Sequence, residues 1–284
     1  PFAVTMGNHD AENWSEDSIY NYLSKSRLFI GKKGPEALSG TGNYILPVYA
    51  SDGTDKINAL LYCMDSNDYT ADAEKYGNYA WIDWGQIAWY REQSRQYTTK
   101  NNGNPLPALA FFHIGVPEFK HLQNRPDMYG HLGEGGGFPK INSGMFQSMV
   151  EMGDVMGVFV GHDHDNDYIA QEYGIALGYG RVSGHDAYGD LERGARIIEL
   201  FEDGRQFDTW IATPSGKSLA YYYPSAITSD DEAVAPLPAQ SVSPTQQGVS
   251  YIYYEGKFKH TDHFQTQGEK KGAGVMKNFS IADA

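Results

Sequence analysis

The sequence predicts a layered α/β fold, in which helices pack against a sheet of buried strands. Three apolar runs have the length and composition of such strands: residues 2–6, 108–112 and 155–160. Each run is followed directly by polar residues that include histidine, namely residues 7–10, His113 and residues 161–164. Ligands of open α/β sheets bind outside the carboxyl ends of the strands, so these histidines are expected to converge at one edge.

The first part of the chain predicts a helix and a hairpin. Ser15 precedes two acidic residues, which is typical of a helix start because a serine side chain caps the unpaired N–H groups. Residues 43–50 and 57–64 are strand-like and flank the turn residues 51–55, which favours an antiparallel hairpin.

The middle of the chain predicts a longer helix. Residues 83–97 place Trp84, Ile87, Ala88 and Arg91 on one stripe at helical spacing. We interpret Trp84 as a residue that packs on that stripe.

A long loop and further elements follow. Residues 114–140 are rich in glycine and proline, and a loop of that length is usually functional. Residues 142–151 predict a helix capped by Asn142. Residues 195–201 and 206–212 predict a second hairpin.

Composition divides the chain into a domain at residues 1–224, a polar linker at 225–250 and a short segment at 251–284. The net charge of -14 disfavours a nucleic-acid partner. No apolar run approaches the roughly 20 residues that span a bilayer. The one cysteine, Cys63, permits no intrachain disulfide.

The polar residues after the strands have the chemistry of a metal site. Two-metal hydrolases bind ions about 3.5–4 Å apart through imidazoles, carboxylates or amide oxygens. Asn8, His113, His162 and His164 could supply such ligands. Each motif alone has a simpler interpretation, a turn for Asn8 and a buried core histidine for His113, but their common position after apolar strands favours a metal site.

Two neighbouring residues predict proton transfer at the same place. His9 could donate a proton without binding a metal, as histidine side chains commonly do in catalysis. Asp10 could hold the His9 ring in position. Asp163, between His162 and His164, could tune the site.

Residues 7–10, His113 and residues 161–164 resemble the last three motifs of the calcineurin-like metallophosphoesterases. Further segments are similar to the purple-acid-phosphatase-like branch of that superfamily: residues 111–114 with Pro117 and Glu118, residues 142–144, residues 157–167, Tyr188 with Gly189, and residues 193–196. The resemblance covers about residues 1–212.

The resemblance implies a β-sandwich flanked by helices, and hydrolysis of phosphate monoesters on small molecules through a hydroxide that bridges two metal ions. The ions would be Fe, Zn or Mn, since these ligand types suit all three. The resemblance also implies roles by position: Asn8, His113 and His162 on one metal, His164 on the other, and His9 with Asp10 behind it at the leaving group.

The sequence departs from this family in one respect. The first two family motifs, an Asp-x-His and a Gly-Asp, would precede Gly7, and they are not in this sequence. We therefore predict a fold incomplete at its N-terminus and a chain that holds half a dimetal site. Such a chain is expected to bind metal weakly and to turn over poorly, although the intact parent would be an enzyme.

Two other functions stay open. One is a phosphodiesterase of the same superfamily, and the other is a non-catalytic module that binds a glycan or a protein. Residues 248–256 and 278–280 resemble the opening of a protective-antigen-type carbohydrate-binding module, although an ordinary tail is the simpler interpretation. The module would imply an exported, periplasmic or extracellular, glycan-associated protein.

Overall fold

The computed structural model describes residues 1–202, 204–233, 249–255 and 268–276. The chain divides into two units, residues 1–234 and residues 235–284. The first unit contains a mixed parallel and antiparallel sheet with helices beside it, which confirms the predicted α/β fold class.

Six strands form the central sheet: β1 (Tyr44–Tyr49), β2 (Ile57–Cys63), β3 (Ala108–Phe111), β4 (Val155–Val160), β5 (Ile169–Glu172) and β6 (Ile175–Tyr179). They lie in the order β1-β2-β3-β4-β6-β5. Strands β2, β3, β4 and β6 are parallel, and β1 and β5 run antiparallel at the two edges. The carboxyl ends of β3 and β4 are therefore neighbours.

A second, antiparallel sheet consists of β7 (Ala195–Leu200), β8 (Phe207–Thr213), β9 (Gly216–Tyr223) and β10 (Ile227–Thr228), in the order β10-β9-β8-β7. The predicted hairpin after residue 194 is confirmed as β7 and β8. Leu109, Met156 and Phe159 of the central sheet share a core with Phe207 and Tyr221 of the second sheet. Burial of these apolar side chains stabilises the packing of the two sheets against each other.

The helices are α1 (Glu16–Leu23), α2 (Ala73–Tyr76), α3 (Trp84–Lys100), α4 (Phe119–Leu122), α5 (Met145–Met152) and α6 (Ser229–Ala233). Ile87 of α3 and Met149 of α5 lie in a core that includes Ala108 and Val158. Successive residues of a strand point to opposite faces, and Leu109 and Phe159 belong to the inter-sheet core. Helices α3 and α5 therefore cover the face of the central sheet opposite the second sheet.

Side-chain capping is confirmed at the start of α1 but not at the start of α5. The Ser15 hydroxyl accepts from the backbone N–H of Ser18, as predicted for α1. Helix α5 differs from the prediction because Asn142 does not cap it. The Asn142 side chain instead accepts from the backbone N–H of Gly144 in a turn, and Gly144 precedes the helix in a left-handed conformation.

The buried stripe of α3 also differs from the prediction. Trp84 is 78% exposed, whereas Gln86, Ile87 and Tyr90 are buried. The Gln86 amide is buried because it donates to Asn43 Oδ1 at 2.9 Å and to the carbonyl of Asp65 at 2.6 Å. Of the predicted stripe only Ile87 is buried, and the buried face of α3 passes through Gln86 instead of Trp84.

Residues 2–6 do not form the predicted strand. Phe2 makes one isolated bridge to Phe29, and the chain continues without a strand ladder. The carbonyl of Val4 instead accepts from the hydroxyls of Tyr20 and Tyr44. Side-chain donors satisfy this backbone group, so the partial burial of residues 3–6 does not require strand pairing.

The first unit extends beyond the predicted boundary at residue 224, because β10 pairs with β9 and α6 follows it. Residues 234–248 of the predicted linker lie outside the described residues. In the second unit, β11 (Val249–Glu255) and β12 (Glu269–Met276) pair antiparallel. Residues 278–280 lie outside the described residues. Across the described ranges, no helix has the length and apolar character needed to cross a membrane.

We expect Glu16→Gln to reduce the pH dependence of stability. Burial, followed by the nearby charge of Asp65, raises the pKa of Glu16 from 4.5 to about 7. A raised carboxyl pKa stabilises the folded state fully below about pH 4.5, and this contribution is lost as the pH rises to about 7. Urea unfolding at pH 5 and pH 8 should show a larger fall in the wild-type chain than in Glu16→Gln.

The exposed Glu36 provides the matched control, and Glu36→Gln should behave like the wild-type chain. An equal fall in wild type and Glu16→Gln would contradict the role of Glu16.

Candidate active site

The structure brings together three of the four predicted ligands. Asn8 Oδ1 lies 3.0 Å from His113 Nε2 and 3.0 Å from His162 Nδ1. The two ring nitrogens are 3.3 Å apart. Three lone-pair donors from distant parts of the chain therefore converge on one point.

The parallel pairing of β3 with β4 explains why the two imidazoles meet. His113 lies just beyond β3 and His162 just beyond β4. The backbone N–H of Gly161 donates to the carbonyl of His113 at 3.0 Å and continues the pairing to the site. His162 has a φ of +74°, a strained value for a residue with a side chain. The strained backbone thus belongs to the residue whose imidazole faces Asn8.

Two further contacts place Asn8 beside the rings. Its Nδ2 donates to the hydroxyl of Tyr69 at 2.7 Å, so its oxygen is the atom that faces the imidazoles. Gly7 permits the close approach, because a Cβ there would lie 2.9 Å from Cε1 of His113. Gly7 therefore contributes by leaving room for the His113 ring, and Asn8 contributes its amide oxygen.

Burial keeps the imidazoles neutral. It lowers the pKa of His113 to about 4, with His162 and His164 adding to the shift. Burial also lowers the pKa of His162. Neutral imidazoles offer a lone pair to a metal ion, as does the amide oxygen of Asn8.

The three atoms fit one metal ion in their spacing. Ligand atoms about 2.1 Å from a common ion lie roughly 3.0–3.4 Å from each other, and the observed separations are 3.0, 3.0 and 3.3 Å. Within the part of the chain that the structure describes, no group of three or more His, Cys, Asp or Glu side chains could hold a metal ion. The third donor is therefore an amide oxygen, and the set supplies fewer than the four ligands of a closed zinc site.

His164 is on the same cleft but outside this cluster. Its ring stacks on Tyr188 with centroids 4.0 Å apart. Its Nδ1 is one of the buried polar atoms that lack a hydrogen-bond partner among the described residues. A buried nitrogen without a partner is costly, and a bound cation would satisfy it.

An open cleft of about 750 Å³ surrounds these side chains. It is lined by the four predicted ligands, by His9 and Asp10, and by Tyr79, Glu134, residues 135–137, Asp163 and Tyr188. The sequence did not predict Tyr79, Glu134 or residues 135–137 as site residues. The one available signal was the density of glycine at residues 133–137 within the long loop.

The glycine loop is held against His162. The backbone N–H of Gly137 donates to Asp163 Oδ1 at 2.9 Å, and the hydroxyl of Tyr179 donates to Asp163 Oδ2 at 2.5 Å. A Cβ at Gly137 would lie 2.4 Å from His162 Nε2. The loop thus covers one side of the ring while Nδ1 faces Asn8.

His9 and Asp10 lie at the rim, but Asp10 does not orient His9. The His9 side chain is 71% exposed, and its Nδ1 lies 2.6 Å from Glu12 Oε1. The Asp10 carboxylate accepts from the backbone N–H of Gly7 at 2.7 Å. Asp10 contacts Gly7 because the turn presents the Gly7 N–H three residues before it. Glu12 reaches His9 because the two residues lie one short helical turn apart.

Comparison with known proteins gives several relatives, although no family model matches the chain. One relative is "Probable inactive purple acid phosphatase 29" of Arabidopsis thaliana, 32% identical over 234 residues, which is 77% of this chain and 60% of that protein. "Probable inactive purple acid phosphatase 14" of the same plant is 31% identical over 236 residues, with 77% and 59% covered.

A third relative is "Phosphatase DCR2" of Saccharomyces cerevisiae (strain ATCC 204508 / S288c), 29% identical over 234 residues. The match covers 74% of this chain and 39% of the yeast protein. The chain spans about 60% of the length of the two plant relatives. Their names describe the plant proteins as inactive and the yeast protein as a phosphatase.

Proposed function

Because the chain is a homologue of purple-acid-phosphatase-like proteins, within the calcineurin-like phosphoesterase superfamily, we propose that it is a metal-dependent hydrolase of phosphate monoesters. The observation that carries the proposal is the convergence of Asn8 Oδ1, His113 Nε2 and His162 Nδ1 within 3.3 Å. The proposed substrate is a phosphorylated small molecule that enters the open cleft.

Each predicted ligand has a place in this proposal. Asn8, His113 and His162 would hold one ion, and His164 would contribute to a second through its unpartnered Nδ1. Fe, Zn and Mn all suit this donor set. Such ions supply Lewis-acid chemistry, which polarises the phosphoryl group and activates water.

His9 would act on the leaving group. Its Nδ1 is engaged by Glu12, which leaves Nε2 as the ring nitrogen that can hold or deliver a proton. Asp10 would act indirectly, because it fixes the turn at Gly7 that precedes Asn8. In the reaction, water would add to phosphorus and the bond from phosphorus to the alcohol oxygen would break. The alcohol would leave with the proton from His9, the proton given up by water would restore His9, and inorganic phosphate would remain.

A second function is favoured by a specific observation. The converging set holds two imidazoles and one amide oxygen, and the plant relatives carry names that describe them as inactive. The chain could therefore bind an ion and a phosphate ester without hydrolysing it. Hydrolysis of diesters stays a prediction, to be tested with the same protein.

Metal binding by the 284-residue chain tests the proposal most directly. We expect Mn²⁺ or Zn²⁺ to bind weakly, and His162→Ala and His113→Ala each to weaken binding at least tenfold, because each removes one of three converging donors. Isothermal titration calorimetry measures the affinity. Release of p-nitrophenol from p-nitrophenyl phosphate, compared with bis(p-nitrophenyl) phosphate, then separates monoester hydrolysis, diester hydrolysis and binding alone.

His121 provides the control. It is an exposed histidine that contacts Glu172 and does not line the cleft. His121→Ala should bind metal as the wild-type chain does. If His162→Ala and His113→Ala also bound metal unchanged, the proposed site would be wrong.

Glycan binding by residues 251–284 and export to the periplasm or the extracellular space are further proposals. They depend on the resemblance of residues 248–256 and 278–280 to a carbohydrate-binding module. Binding of the intact chain to immobilised polysaccharides would test the first, and the location of the protein in fractionated cells the second.

A further inference from the structure

The rim of the cleft is aromatic. Tyr188 stacks one ring face on His164, and 57% of the residue is still exposed. Tyr79 contacts His162 edge-on with centroids 4.5 Å apart, and Tyr69 stacks on Tyr79 with centroids 5.9 Å apart. Tyr69 is 46% exposed. Tyrosine rings from different segments of the chain are thus fixed against the imidazoles and present apolar surface to solvent.

The charges of the cleft are acidic or neutral. Among the described residues that line it there is no lysine or arginine, whereas Asp10, Glu134 and Asp163 contribute carboxyl groups. The hydroxyl of Tyr188 donates to Glu134 Oε2 at 2.9 Å, which fixes this carboxylate at the rim. A ligand with several phosphate groups would find no cationic side chain here and would meet fixed carboxylates.

These two observations define a class of ligand. An aromatic ring gains from offset stacking on a fixed tyrosine, because the apolar faces leave water and the ring edges align with the π-system. One phosphate can be held by ions at the imidazoles, and each additional phosphate would be repelled by Glu134 or Asp10. The tyrosines therefore favour an aromatic group over a sugar, and the carboxylates disfavour a second phosphate.

We propose that the cleft selects esters in which a single phosphate is attached to a planar aromatic group, and that Tyr188 binds that group by stacking. This inference rests on the proposed function, because the phosphate must be held at the imidazoles. It adds the substrate class, which the predicted ligands alone do not specify.

Equilibrium binding by the Mn²⁺-loaded 284-residue chain provides the test. Isothermal titration calorimetry would compare inorganic phosphate, glucose 6-phosphate, phenyl phosphate and fructose 1,6-bisphosphate. Phenyl phosphate is expected to bind about 3- to 10-fold more tightly than glucose 6-phosphate, the range that one aromatic contact provides. Fructose 1,6-bisphosphate is expected to bind no more tightly than glucose 6-phosphate.

Substitutions of Tyr188 test whether this side chain causes the preference for phenyl phosphate. Tyr188→Ala should bring the ratio of the affinities for phenyl phosphate and glucose 6-phosphate close to one. Binding of inorganic phosphate should be unchanged. Tyr188→Phe should retain the preference, because the ring is kept and only the bond to Glu134 is lost. Tyr22 is also an exposed tyrosine, 71% against 57% for Tyr188, and it lies on α1 outside the cleft lining, so Tyr22→Ala is the control.

The outcomes separate the two proposals. If inorganic phosphate does not bind, the proposed function and this inference are both overturned. If inorganic phosphate binds but phenyl phosphate and glucose 6-phosphate bind equally, only the aromatic selectivity is overturned. Tighter binding of the bisphosphate, or an unchanged preference in Tyr188→Ala, would also overturn it. The wild-type comparison decides the question even if Tyr188→Ala does not fold.

Discussion

Asp154→Ala is expected to lower the free energy of unfolding by about 3 kcal/mol or more. The Asp154 carboxylate is buried and accepts from the hydroxyl of Tyr62 at 2.8 Å and from that of Tyr90 at 2.6 Å. Both tyrosines are fully buried, so alanine would take the carboxylate acceptor from two buried hydroxyl groups. Chemical denaturation monitored by circular dichroism would measure the change.

The control removes both sides of the interaction. Replacing two partners by apolar groups of similar shape is nearly neutral, whereas removing one partner leaves the other unpaired. Tyr62→Phe and Tyr90→Phe, added to Asp154→Ala, should therefore recover part of the lost stability. A loss below about 1 kcal/mol in Asp154→Ala alone would show that the carboxylate does not stabilise the core.

Gly137→Ala is expected to weaken metal binding at least tenfold, the usual scale for residues that position ligands. The added methyl group would lie 2.4 Å from His162 Nε2 and 2.9 Å from Tyr79. The loop cannot move away freely, because the Gly137 N–H is bound to Asp163. The ring must shift instead, and its Nδ1 then leaves Asn8. Calorimetry with Mn²⁺ and the ring ¹⁵N shifts of His162 would both report the displacement.

Gly135→Ala is the matched control, because a Cβ at Gly135 would meet no atom within 4 Å. Gly135 and Gly137 belong to the same glycine run and both line the cleft. Equal metal affinity of the two variants would contradict the contact between the loop and His162.

The layered fold followed from hydrophobic pattern, and the exceptions have local causes. Strand β4 matches the predicted run because all six of its residues are buried. Residues 2–6 are similarly apolar, but tyrosine hydroxyls satisfy the backbone at Val4. The predicted α3 stripe was correct for Ile87 and wrong for Trp84, because the buried face passes through Gln86, which makes two specific hydrogen bonds. Such partners come from distant segments and have no local signature in sequence.

The candidate site was predictable to the extent that its residues follow parallel strands. His113 and His162 meet because β3 and β4 are neighbours. Glu134 and Gly137 were not predictable, because they reach the cleft from a long loop whose path is set by Asp163 and Asn166. The partner of His9 was also missed, since Asp10 and Glu12 are both within reach in sequence and the turn at Gly7 decides between them.

The separation of the converging donors along the chain has a consequence for biosynthesis. Asn8 and His162 are 154 positions apart, so at 5–20 residues per second a ribosome needs about 8–30 s to add the second after the first. A cation that meets the nascent polypeptide during that interval finds at most the Asn8 amide and the His113 imidazole, without the third donor. The centre can therefore form only after translation has passed β4.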